Sequence, residues 1–349
     1  MTPHRIRLGI LGCGAITQME HLPAALAHPD VELIALVDSA TDRTRALAKS
    51  HLVQCQISDD FRPLLGQLDA VINALPNSLH APVTLEVLRA GAHVLCEKPL
   101  AIKASDALAC AALAEQQGLV LAAGMNRRFV ASHKLMLLVL NEGMLGPLKS
   151  YTCDYGGAFD WKSASGFYFS KALAGGGAMI DFGVHLLDSL IDWFGPVSEF
   201  SYQDDNWGSG IEANAIMELR HSGKYGVVEG RLQVSRTFPL KNRLLVQGAE
   251  AEAEVKVADL DSLIVRREIA GEQVCQTLRL SDAKTNSFYK QLDNFVQSIR
   301  GTEKPEVNGT QTAAVLQLIE DAYANAGRIP EPWSEVPCGT PTEPPKVMA

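Results

Sequence analysis

Four places along the chain carry residue types whose spacing could do chemistry. The first is Gly12-Cys13-Gly14-Ala15-Ile16-Thr17, which closes an apolar run at Ile6–Leu11 and opens a helical stretch. Gly12 permits a tight turn, and Gly14 lets another group approach the backbone. The helix that follows aims free N–H groups and its positive dipole end at an anion, as a dinucleotide pyrophosphate requires. Ala15 and Ile16 complete that turn. Thr17 stands where a third glycine or alanine is usual, a mild departure that could loosen helix–strand packing. The second place is Asp38, which ends the next apolar run 24 residues beyond Gly14. A carboxylate there can accept from both hydroxyls of an adenosine ribose and repels a 2′-phosphate, so NAD is expected and NADP disfavoured, although Arg43 lies within reach of such a phosphate. Read without that context, Asp38 caps the following helix.

The third place is Lys98, at the carboxyl end of the run Ala92–Cys96, where parallel sheets open the crevice that binds ligands. The fourth is the pair Asp181 and His185, four apart, which a helix sets on one face. Oxidising an alcohol needs a hydride acceptor and a base for the hydroxyl proton. Histidine suits the second task because its pKa lies near neutrality. A lysine charge stabilises the developing alkoxide. By themselves, an isolated lysine is a solvated charge and an Asp/His pair at helical spacing is an ion pair or a cap.

These residues need elements to hold them. Ile6–Leu11, Val31–Val37, Asp69–Leu75, Ala92–Cys96 and Leu119–Gly124 read as short buried strands rich in Val, Ile, Leu and Ala. Helical stretches at Ala81–Ala90 and Ser105–Gln117 lie between them, with Gly91 and Gly118 as stops. That alternation implies a parallel sheet covered on both faces. After a helix at about 131–142, alternating strands follow, among them Ala213–Arg220, Tyr225–Val234 and Arg243–Gln247. Helices at Ala178–Phe194, Ser287–Arg300 and Thr310–Gly327 accompany them. The fold class expected is α/β: an N-terminal doubly wound Rossmann domain (1–127), then an α/β domain with a large, mostly antiparallel open sheet (128–330). A proline-rich tail (331–349) completes the chain.

Val94-Leu95-Cys96-Glu97-Lys98-Pro99, Leu75-Pro76-Asn77-Ser78-Leu79-His80 and Gly175-Gly176-Gly177-Ala178-Met179-Ile180-Asp181-Phe182-Gly183-Val184-His185 together resemble the glucose–fructose oxidoreductase / inositol dehydrogenase / rhizopine-catabolism (Gfo/Idh/MocA) family. Ser287-Phe288-Tyr289-Lys290-Gln291-Leu292-Asp293-Asn294-Phe295 extends the likeness, which covers roughly residues 5–328. The resemblance implies oxidation or reduction of sugars, polyols or sugar nucleotides, in homodimers or homotetramers formed through the open sheet. It implies Lys98 between nicotinamide and substrate, often beside a cis peptide bond, with His185 as the proton-transfer residue and Asp181 beside it. Leu75, Pro76, Asn77 and Glu97 are expected near the cofactor. His80 either contacts nicotinamide or begins a helix. Arg127 matches an arginine that binds substrate in inositol dehydrogenases. Trp161, in the loop from Tyr155 to Lys162, could stack on a sugar ring or pack a lid, and Ser235-Arg236-Thr237 could line the pocket. His133 and His221 fit no pattern and read as surface residues.

Composition excludes other classes. The 349 residues carry 31 Lys+Arg against 40 Asp+Glu, a formal charge of −9, with no basic stripe to track a phosphate backbone. The seven cysteines are scattered without CxxC pairs, which argues for free thiols and against zinc or any other metal. With no apolar run near ~18 residues and no leader pattern, a membrane span is not expected and the cytoplasm is the default. Two other functions stay open: an NAD-dependent glycosidase of the same fold, although its Thr-His signature is not found, and a non-catalytic NAD(P)-binding sensor, which would have no need of a proton relay. Neither the substrate nor the physiological direction follows from the sequence.

Overall fold

The structure, a computed structural model, describes residues 4–161, 166–206, 210–281 and 286–329. The proline-rich tail and Lys162 lie outside the described residues. The chain forms two compact units.

The first unit comprises Met1–Asn126, Lys162–Gly175 and Thr285–Leu318. Its six parallel strands are β1 (Ile6–Leu11), β2 (Val31–Val37), β3 (Gln56–Ser58), β4 (Ala70–Asn73), β5 (His93–Glu97) and β6 (Leu121–Gly124). They lie in the order β3-β2-β1-β4-β5-β6, so the strand order reverses beside β1, where such sheets bind dinucleotides. Helices α1 (Leu22–Ala27), α2 (Thr41–Ser50), α3 (Asn77–Arg89) and α4 (Ala104–Gln117) connect them. Strand β3 was not expected; three half-polar residues carry too little pattern to mark it. Helix α3 begins four residues before Ala81, because Pro82 is tolerated in its early turns. Gly118 ends α4 in the left-handed region.

The core of this unit joins Ile10, Leu36, Ile72 and Leu95 to Leu292, Phe295 and Val296. Those last three residues belong to a helix at Ser287–Ile299, whose N-terminus is capped by Asn286 accepting from the amides of Phe288 and Tyr289. Read from the sequence, this helix falls in the second domain (128–330), whereas it packs within the first unit. Three buried apolar side chains draw this late helix back onto the first sheet.

The second unit comprises Arg127–Trp161, Gly176–Lys284 and Ile319–Ala349. Among the described residues its strands are β7 (Leu148–Gly156), β8 (Val197–Asp204), β9 (Asn214–Gly223), β10 (Gly226–Ser235), β11 (Arg243–Gly248), β12 (Glu252–Lys256), β13 (Asp259–Ile269), β14 (Glu272–Arg279) and β15 (Gly327–Arg328). Their order is β14-β13-β12-β11-β7-β10-β9-β8-β15, mostly antiparallel, with β7/β10 and β8/β15 parallel. Helix α5 (Ala131–Asn141) packs against β13 and β14, and a helix at Val184–Phe194 packs against β9. Tyr151, Cys153, Met217, Leu219, Leu232, Leu244 and Val246 form the buried rows.

Period-two alternation puts the intervening residues on the other face. That face carries cross-strand ion pairs, Arg231–Glu218 (3.7 Å), Arg243–Glu254 (3.6 Å) and Arg266–Glu252 (3.2 Å). It is laced with charge rather than lined by apolar side chains. No described helix is long and apolar enough to cross a membrane. Among the described residues, the cysteines are free thiols and no cluster of His, Cys, Asp and Glu could hold a metal.

Candidate active site

In the first unit, the turn after β1 is built as a nucleotide loop. Gly12 has φ +91°, and a Cβ there would lie 2.3 Å from the carbonyl oxygen of Ala74, so no other residue fits. A Cβ on Gly14 would meet nothing within 4 Å, which leaves the backbone open to a close ligand. Ala15 and Ile16 begin the helix, which passes through a π turn at Thr17–His21 before α1. Thr17 does not loosen this corner. It is buried, and its hydroxyl donates to the Gly12 carbonyl at 2.5 Å, tying the loop to the helix.

Asp38, at the end of β2, accepts from the amides of Cys13 and Ala40, each at 2.8 Å. Arg43 donates to both its oxygens at 2.9 and 3.0 Å. Burial works against ionisation, but these donors outweigh it and hold the carboxyl below the usual carboxylate range. Arg43 thus rests on the carboxylate expected to meet the ribose. Its own side chain is well exposed and able to swing away.

The residues after β4 and β5 are cross-braced. His80 is buried, with Nδ1 2.6 Å from the Pro99 carbonyl and Nε2 2.6 Å from the Leu75 carbonyl. Both ring nitrogens are engaged by main chain, so His80 braces two loops. Glu97 is likewise buried, pairing with His21 at 2.8 Å and accepting from the Lys98 amide at 3.1 Å. Burial opposes its ionisation, yet His21 and Lys98 hold its carboxyl below the usual range. Its side chain braces this loop. Asn77 donates from Nδ2 to the Ala174 carbonyl at 2.8 Å. Leu75 and Pro76 are half-buried on the same loop, and the Lys98–Pro99 peptide is cis.

In the second unit, the helix expected at Ala178–Phe194 has two parts: a π turn at Met179–Gly183, then α7 (Val184–Phe194), the first unit having contributed α6 (Lys171–Ala174) to the numbering. Asp181 sits in the π turn and His185 in the first turn of α7. The Asp181 carboxylate accepts from Arg236 at 2.9 Å, both groups being buried. The Arg236 guanidinium also lies 5.0 Å from the Phe159 ring and 5.7 Å from that of Phe182. Sequence reasoning marked Arg236 only as a pocket-lining residue, and the pairing spans 55 positions that no motif connects. It missed Glu212 altogether, a buried carboxylate at the start of this helix.

The remaining expectations divide. Arg127 stacks on Tyr155 at 4.9 Å, and Tyr155 touches Phe182 with ring centroids 5.1 Å apart. Trp161 is exposed. Arg128 is buried in a network: two bonds to the Asp188 carboxylate at 2.6 and 3.0 Å, and contact with Asp192. His133 joins it through Asp192 at 2.9 Å and stacks on Trp193. His221 bonds the Tyr151 hydroxyl and the Gly195 carbonyl, each at 2.8 Å. Both histidines are buried rather than on the surface, because each finds a polar partner across the unit.

Comparison with known proteins fits this architecture. Residues 6–125 match the family described as oxidoreductases with an NAD-binding Rossmann fold, and residues 134–254 match the GFO/IDH/MocA C-terminal domain. D-glucoside 3-dehydrogenase of Escherichia coli is 32% identical, over 93% of this chain and 97% of that protein. A dTDP-3,4-didehydro-2,6-dideoxy-alpha-D-glucose 3-reductase of Streptomyces antibioticus is also 32% identical, but over 56% of this chain and only 59% of that protein. Among solved structures, aldose-aldose oxidoreductase from Caulobacter crescentus shares the fold with a TM-score of 0.79 at 24% identity, covering 92% of this chain and 97% of that one. The protein is therefore an oxidoreductase of the GFO/IDH/MocA family, with an NAD(P)-binding Rossmann fold.

Proposed function

We propose that the enzyme moves hydride between NAD and a hydroxyl-bearing carbon of a sugar, cyclitol or nucleotide sugar, with Lys98, Asp181 and His185 as its catalytic residues. The observation that carries this reading is the buried Asp181–Arg236 pair on the helix that also bears His185. A carboxylate held by an arginine, four residues before a histidine on one helix, can hold a substrate hydroxyl or the imidazole while the histidine takes the proton. Lys98 stabilises the alkoxide that forms. Arg127 and Trp161 contact the substrate. The loop Gly12, Gly14, Ala15 and Ile16 holds the pyrophosphate, and Leu75, Pro76 and Asn77 flank the nicotinamide half. When bound, NAD supplies the hydride acceptor. That relatives are named for glucosides and deoxysugar nucleotides supports the substrate class. The test is a panel of sugars, glycosides, inositols and nucleotide sugars, followed by nicotinamide absorbance. Turnover of at least one is expected. None at all would favour a sensor, and released aglycone a glycosidase.

NAD is preferred over NADP in this reading, because Asp38 meets the ribose diol once Arg43 swings aside. Asp38→Ala is expected to weaken NAD by roughly 1–3 kcal/mol, the cost of leaving polar partners unmatched. It also releases the Arg43 guanidinium, so relative affinity for NADP should rise. Titration of both cofactors decides it, and equal or tighter NADP binding by the natural protein contradicts the assignment.

The assembly proposed is a homodimer or homotetramer formed through the nine-stranded sheet. Since the open face is charged, the association is expected to weaken as salt rises. Light scattering at micromolar concentration measures it, and a monomer at low salt contradicts it.

A further inference from the structure

Glu212 lies in no motif, yet it organises the start of the helix that carries Asp181 and His185. It is 1% exposed. Its Oε2 accepts from the Gly177 amide at 2.9 Å and its Oε1 from the Met179 amide at 2.7 Å. Its main-chain carbonyl accepts from the Ala178 amide, at 2.9 Å. Three successive N–H groups at a helix N-terminus thus end on one residue. Such groups have no partner within the helix, and a carboxylate also suits the positive end of the dipole.

The clamp is itself held. Tyr323 donates its hydroxyl to Glu212 Oε1 at 2.8 Å, a third donor to the side-chain oxygens among the described residues. A Cβ on Gly177 would lie 1.9 Å from the Glu212 carbonyl oxygen, and one on Gly176 would lie 2.3 Å from the Tyr323 hydroxyl. Neither glycine has a positive φ. Close approach, rather than turn conformation, explains this part of the glycine run.

We propose that Glu212 is a positioning residue for hydride transfer: it clamps the amides of residues 177–179 and so sets Asp181 and His185, while Tyr323 steadies Glu212. The proposal rests on the catalytic assignment of Asp181 and His185 above. The clamp holds the N-terminal end of the π turn, and α7 continues from its other end. Asp181 stands two residues beyond Met179, so a shift at the clamp reaches it almost undiminished. A misplacement of about 1 Å can cost ~10²-fold in rate.

The test compares the natural enzyme with Glu212→Gln and Tyr323→Phe. Gln keeps the shape but loses one of the two side-chain acceptors. Expected is a fall in kcat on the order of ten- to a hundredfold, with KM and NAD affinity within about twofold. Tyr323→Phe should act in the same direction, more weakly. A residue that only stabilises the fold would lower the melting temperature and leave kcat of the folded enzyme alone. Folded Glu212→Gln with kcat within twofold of natural overturns the proposal. If that variant does not fold, Tyr323→Phe decides by the same criterion. Amide exchange over residues 177–185 gives a second reading, with faster exchange expected in both variants. If the natural protein turns over no sugar, the catalytic assignment fails, and unchanged exchange would then overturn the clamp as well.

Discussion

Replacing His185 by alanine is expected to lower turnover by roughly 10²–10⁴-fold, the usual worth of a positioned acid or base. Lys98→Ala is expected to cost about 10²–10³-fold, because it withdraws the charge that stabilises the alkoxide. Neither residue belongs to the Gly12–Gly14 loop or to Asp38, so NAD affinity should be almost unchanged. In the proposed mechanism the two groups act in one step, the alkoxide that Lys98 stabilises forming only as His185 takes the proton. The double variant should therefore lose less than the product of the single losses. Turnover on the best substrate and NAD titration, made on all three variants, give the answer. A folded single variant with near-normal turnover removes that residue from the catalytic set and strengthens the sensor reading.

What the sequence disclosed and what it hid follow the distance over which each feature acts. The nucleotide loop is local: Gly12, Gly14 and the opening helix lie within a few residues, and the structure builds the turn as expected. Strand periodicity is local too, and it was too short to mark three-residue β3 or two-residue β15. The partners of the site residues are distant in sequence. Arg236 reaches Asp181 across 55 positions, Glu97 reaches His21 across 76, and Glu212 reaches Gly177 across 35. No spacing rule links such pairs. His80 shows the converse limit. Its place after Leu75-Pro76 left a nicotinamide contact and a helix start both open, and nothing in the sequence marked the two main-chain carbonyls that hold its ring. His133 and His221 read as surface residues because the sequence shows no partner for them. Burial became affordable only once Asp192 and Tyr151 were folded against them.

Arg128 carries the largest expected effect on stability. It lies directly after Arg127, yet it is buried while its neighbour stacks on Tyr155. Its guanidinium makes two bonds to the carboxylate of Asp188, a residue 1% exposed, and contacts Asp192, which His133 also holds. Arg128→Met keeps much of the volume and removes the charge. Asp188 is then an uncompensated buried carboxylate, a situation that costs about 3–5 kcal/mol. For a unit of this size the melting temperature should fall by about 2–4 °C per kcal/mol. Adding Asp188→Leu to Arg128→Met should recover much of the loss, since an apolar pair replaces the ion pair. The pH dependence has a definite sign. Burial raises the carboxyl of Asp192, but His133 and Arg128 outweigh it and hold it below its ordinary range. A carboxylate lowered in the folded state contributes stability above its unfolded pKa of about 3.9, and that contribution disappears as pH falls through the lower folded value. The part of the gap between natural protein and Arg128→Met that passes through Asp192 should therefore be full at pH 7 and narrow below about pH 4. Denaturant unfolding at both pH values measures it. A loss under about 1 kcal/mol at neutral pH would show that Asp188 finds other partners when Arg128 is gone.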